Sequence, residues 1–148
     1  MGSEMCIRDR ATLARPVDAA REIVARIDRE RAGDGAVADA IGRLRRASVL
    51  VVATPTYKGT YTGVLKVLLD QLPAEGLKDV AAVTVVTAGV RPQADATERH
   101  LRELLGELRA VPVTPGLAIV ESELANAGTA AAEYVAQIGD AFTADASV

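Results

Sequence analysis

The chain is short of most residues that announce chemistry. It has one cysteine, Cys6, one histidine, His100, and no tryptophan. A single thiol builds no disulfide framework and no cysteine-based metal site within one chain, and it fits a reducing cytoplasm. A lone histidine with no Cys or Asp/Glu cluster at ligand spacing makes no metal centre. Aromatic residues are only 3% of the total, so the core must be assembled from Ala, Val, Leu and Ile. Such residues suit close helix–sheet packing. The longest apolar runs, around Val49–Ala53 and Val80–Val86, fall far below the ~20 residues of a membrane helix. The N-terminus lacks the apolar core of a signal peptide. Positive charge is not in excess either, since the net charge is -3. The densest basic group, Arg43, Arg45 and Arg46, reads as a solvated helix face rather than a nucleic-acid footprint.

What is present is globular: 148 residues, 49% hydrophobic and 25% charged, the size and material of one domain. The first ten residues, MGSEMCIRDR, show no apolar periodicity and do not resemble the rest of the chain. MCIRDR is similar to a translated sequencing-adapter fragment, and a cloning scar is the other ordinary reading. Residues 1–10 are therefore treated as non-native and residues 11–148 as the domain. A missing natural N-terminus is the expected consequence.

Pro16 suits the first turn of a helix, and Val17, Ala20, Val24 and Ile27 recur at helical spacing before Gly33 and Gly35 end it. A second helix is expected over Ala36–Ala47. Val49–Val52 is an unbroken β-branched and leucine run, which predicts a strand buried on both faces. Thr54–Thr62, with Pro55 and Gly59, reads as a loop. Gly63–Leu72 reads as a helix, apolar round most of its circumference and ended by Pro73, so buried on several sides against the sheet and a partner subunit. The pattern then repeats: a strand over Val80–Thr87, a helix over Ala94–Arg109 carrying Leu101, Leu104, Leu105 and Leu108, a loop marked by Pro112 and Pro115, a strand over Leu117–Val120, and a helix over Gly128–Phe142. Alternating strands and helices predict right-handed crossovers and a parallel sheet. The strands are too few for a doubly wound sheet, which has about five or more.

Open parallel sheets bind ligands at the carboxyl ends of their strands. Two strand ends carry suggestive loops: Ala53-Thr-Pro-Thr-Tyr-Lys-Gly-Thr-Tyr-Thr-Gly63 and Thr87-Ala-Gly-Val-Arg91. Tyr57 or Tyr61 has an aromatic face for a flat heterocycle. Gly59 and Gly63 let backbone approach it closely. A Walker loop is excluded because Val64, not lysine, follows Gly63, and there is no Gly-x-Gly-x-x-Gly. His100 lies on the polar side of its helix, where solvent exposure is the default. Lys66 reads as structural or solvated, Glu121 and Glu123 as a solvated strand end, and Ser48 and Ser122 lack a nucleophile-elbow context.

The segment VVATPTYKGTYTGVLKVLLDQLP resembles the signature loop of the NAD(P)H-dependent FMN reductase family, and HLRELLGELRAVPVTPGLAIVESEL resembles its later helix and strand. The resemblance spans roughly Ala36 to Leu124, with Thr-Pro-x-Tyr-Lys-Gly its most specific part. It implies a flavodoxin-like three-layer sandwich with a parallel sheet, here lacking the first strand–helix–strand unit. It also implies hydride transfer from NAD(P)H to FMN, with the flavin supplying the redox chemistry and no catalytic side chain required. Thr54, Pro55, Thr56 and Tyr57 would line the flavin ring, partly through backbone amides. Lys58, Tyr61 and Gly63 would sit nearby, and Thr87, Ala88 and Gly89 would approach the other edge. A homodimer or homotetramer, and a flavin-dependent monooxygenase receiving reduced flavin, are the implied partners.

Three departures qualify the pattern. Ala88-Gly89 stands where the family has Gly-Gly, and Gln93 where it commonly has histidine. The family's Ser/Arg-containing phosphate loop has no counterpart here. Two alternatives therefore stand beside FMN reduction: a quinone or azo reductase on the same fold, and an inactive fragment or non-catalytic interaction module.

Overall fold

The computed structural model describes residues 35–144. The helix expected from Pro16 and the segment Met1–Arg10 lie outside them. The elements run α1 (Gly35–Arg46), β1 (Val49–Pro55), α2 (Gly63–Leu69), β2 (Ala81–Ala88), α3 (Arg91–Glu107), β3 (Val111–Val120), a 3-10 segment (Glu121–Asn126) and α4 (Ala127–Ala144). The three strands form one parallel sheet in the order β1-β2-β3, as the alternation of strand and helix predicts.

The side-chain period of two divides the sheet's faces. Val52, Ala82 and Val86 pack with Leu65, Leu69 and Leu72 and with Leu101 and Leu105, making a core of aliphatic residues between the sheet, α2 and α3. Val37 of α1 closes on Leu68, so α1 lies on the same side. On the opposite face, Tyr134 and Ile138 of α4 cover Val83, with Val85, Val113 and Leu117 around them.

That arrangement corrects the expectation for β1. Val49 is 49% exposed and Val51 61%, so the strand is buried on one face only. α4 covers β2 and β3 and stops short of β1. An unbroken apolar run reads the same whether or not the fold supplies a second cover.

α3 begins at Arg91, three residues before the expected start, with Pro92 in its first turn, where a missing N–H breaks no helical bond. The prolines at 112 and 115 do not mark a loop; both lie inside β3. Among the described residues β3 is an edge strand, the place where a sheet tolerates proline. Val83 pairs with Val113 but Val85 pairs with Leu117, so Thr114, Pro115 and Gly116 together face Thr84. This bulge, and not a loop, absorbs Pro115.

Candidate functional site

β1 and β2 end side by side, with Pro55 opposite Thr87. The chain leaving β1 is tied to β2 at once, because the Thr56 amide donates to the Thr87 carbonyl at 2.7 Å. It then turns back on itself. The Tyr57 amide donates to the Thr60 carbonyl at 2.9 Å and the Thr60 amide returns the bond at 3.3 Å. Lys58 and Gly59 make the turn with φ of 53° and 86°. Two central residues at positive φ is the type I′ geometry, and glycine at the second is its usual residue. What reads as an open loop is therefore a tight hairpin seated on the end of β2.

The base of the hairpin is closed by Thr54. Its buried hydroxyl donates to the Pro55 carbonyl at 2.9 Å and accepts from the Thr62 amide at 3.2 Å. The Thr62 hydroxyl in turn accepts from the Leu65 amide at 3.3 Å and caps α2. Tyr61 packs against the main core. The ten expected ring contacts thus separate by role. Thr54, Tyr61 and Ala88 face inward, behind the strand ends. Pro55, Tyr57, Lys58, Gly63 and Gly89 are exposed around the strand ends, and Thr56 and Thr87 are half-buried between them. A methyl group added at Gly63 or Gly89 would meet only open space.

A flat ring with carbonyl and nitrogen edges needs backbone groups that are still free. The Thr56 and Tyr57 amides are already engaged, which narrows the expectation that backbone amides line the ring. Among the described residues no protein acceptor faces the N–H of Lys58, Gly59 or Gly89. Unengaged amides on the hairpin turn after β1 and on the residue after β2, with an exposed tyrosine in the hairpin, are the kind of groups such a ring takes. Lys66 is not among the candidate contacts: it pairs with Asp70 along α2, and that hydrogen bond raises its pKa.

Two residues that sequence reasoning left out or assigned to solvent touch the hairpin from α3. The Thr56 hydroxyl donates to the Thr97 hydroxyl at 3.1 Å, and His100 Nδ1 lies 3.4 Å from Thr60 Oγ1. His100 is exposed, as its position on the helix predicts, but it is not idle. Their i, i+3 spacing on one helix was the available signal.

Arg91, at the end of the second loop, turns away from the hairpin. It donates to the Ala118 carbonyl and, at 2.9 and 2.7 Å, to both carboxylate oxygens of Glu123. The Val120 amide also donates to Glu123, and this bond first, then Arg91, lowers the Glu123 pKa. The pair borders a cleft of about 520 Å³ between β3, the start of α3 and α4.

Residues 9–124 match the model of the family described as NADPH-dependent FMN reductase. The chain belongs to the NADPH-dependent FMN reductase family. The match reaches further toward the N-terminus than the resemblance from Ala36 and ends at the same Leu124. Within this FMN reductase family, the chain is 34% identical over 82 residues to an FMN reductase (NADPH) of Escherichia coli K12, covering 55% of this chain and 43% of that protein. It is 30% identical over 117 residues to the NADH-dependent FMN reductase SfnF of Pseudomonas fluorescens Pf0-1, covering 77% and 57%. The apo crystal structure of the NADH:FMN oxidoreductase EMOB superposes with a TM-score of 0.62 at 27% identity, covering 83% of this chain and 76% of that one. The fold is flavodoxin-like α/β. The chain spans about half the length of the curated FMN reductases it matches.

Proposed function

We propose that this chain supplies the ring-holding part of an FMN reductase that passes hydride from NADPH or NADH to FMN. The reading rests on one observation above the others: the hairpin after β1 is bonded directly to the end of β2 through Thr56 and Thr87. Two strand ends with free amides at Lys58, Gly59 and Gly89 then share one surface, where an open parallel sheet receives its ligand. Tyr57 offers an aromatic face beside them.

In this proposal Thr54, Pro55, Thr56, Tyr57, Lys58, Tyr61 and Gly63 form one wall, and Thr87, Ala88 and Gly89 the other. Bound flavin supplies the capacity to accept hydride. The chain's own part is to orient the ring and to keep one ring face open to nicotinamide. The free amides also meet the charge that reduction places on the ring's polar edge, without rearranging to do so. Residues 11–148 are read as part of one flavodoxin-like domain. A cytoplasmic homodimer or homotetramer, handing reduced flavin to a flavin-dependent monooxygenase, completes the proposal. The single cysteine and the exposed Val64 on α2 accord with it.

FMN titrated into the chain should lose fluorescence saturably, and FMN with NADPH or NADH should bleach the nicotinamide absorbance. Unquenched flavin at high micromolar concentration would overturn the proposal for this chain. Turnover of a quinone without turnover of FMN would move it to the quinone reductase alternative.

A further inference from the structure

The hairpin tip has little to hold it. Tyr57, Lys58 and Gly59 are exposed, and two backbone bonds between Tyr57 and Thr60 close the turn. Such a turn swings about its base unless side chains fix it, because few buried contacts resist the opening. The base is fixed from two directions. β2 holds the Thr56 main chain through the Thr87 carbonyl, and α3 holds its side chain through Thr97. His100, one turn further along α3, meets Thr60 on the returning arm.

Thr97 is wholly buried. Packing alone does not call for a hydroxyl there, since valine fills nearly the same volume and a buried hydroxyl without a partner costs free energy. Its partner is the Thr56 hydroxyl, 41 residues away in the chain. We infer that Thr97 is a positioning residue for the flavin. Acting through Thr56, it sets the hairpin over the end of β2, so that the Lys58 and Gly59 amides keep a fixed spacing from Gly89. His100 steadies the returning arm. The ligand in this inference rests on the proposed function, whereas the clamp can be read without any ligand.

Thr97→Val and Thr97→Ser, made in the full chain, test both halves. Without flavin, amide hydrogen exchange at Tyr57 and Thr60 should quicken about three- to ten-fold in the valine variant, the worth of one hydrogen bond. The core amides of Leu101 and Leu105 should keep their rates, and serine should restore the hairpin. With flavin, Thr97→Val should raise the FMN Kd and KM by a similar factor and leave kcat within about two-fold. Unchanged hairpin exchange in Thr97→Val overturns the clamp. Faster exchange with unaltered FMN affinity overturns its role toward flavin. If the unaltered chain fails to quench FMN, the proposed function and the flavin role fall together, and exchange still decides the clamp.

Discussion

Gly116 shows how much one residue can carry. A Cβ built there would fall on the Thr84 hydroxyl and a Glu98 carboxylate oxygen. Those two atoms are themselves bonded at 2.8 Å in the interior, and Glu98 reaches Arg102 at 3.4 Å. A buried carboxylate is tolerable only with such partners, so neither neighbour is free to move aside. Gly116→Ala is expected to lower stability by about 1–3 kcal/mol, the usual range for overpacking. Urea denaturation would check it, and an unchanged midpoint would mean that the bulge relaxes. In the sequence Gly116 is one glycine among twelve. Its importance depends on Thr84 and Glu98, which lie far away along the chain.

At the scale of elements, α4 secures β3 through one side chain that is both apolar and polar. The Tyr134 ring packs on Val83, and its hydroxyl donates to the Pro115 carbonyl at 2.8 Å within the bulge. Burial first, and the Glu98 charge second, raise the Tyr134 pKa. A group whose folded pKa is raised contributes stability that is complete below the ordinary tyrosine value and lost as pH rises through the raised one. Tyr134→Phe should cost about 1 kcal/mol near neutral pH for the lost hydrogen bond. It should also flatten the alkaline fall in stability. Denaturation midpoints measured from neutral to alkaline pH would show this, and parallel curves for the two proteins would contradict it. The helix that carries Tyr134 was legible in the sequence as Gly128–Phe142. The bulge that receives its hydroxyl was hidden, because Pro112 and Pro115 mark a loop in most settings and are absorbed here by an edge strand.

For the molecule as a whole, the two sheet edges are treated differently. Along β3, outward main-chain groups are met by side chains: Arg91 on the Ala118 carbonyl, Tyr134 on the Pro115 carbonyl and Glu123 on the Val120 amide. Such caps discourage another strand from adding. Among the described residues β1 pairs only with β2, and its uncovered face presents Val49 and Val51. An apolar edge of this kind promotes association. The chain should self-associate with rising concentration, and Val51→Lys should reduce that association while leaving the unfolding midpoint nearly unchanged. Light scattering across a concentration series would decide it, and monodisperse behaviour of the unaltered chain at high concentration would refute it.

The sequence by itself determined the repeating strand–helix units, the aliphatic core, the two strand-end loops and the family. All of these depend on short-range features: hydrophobic period, turn residues and a contiguous motif. Tertiary structure alone decided which amides remain free at the hairpin, that Thr97 reaches Thr56, why position 116 requires glycine, and that β1 is covered on one face only. Each of these depends on pairs of residues brought together across the chain. Neither hydrophobic period nor local turn chemistry records which distant hydroxyl or carbonyl completes a given hydrogen bond.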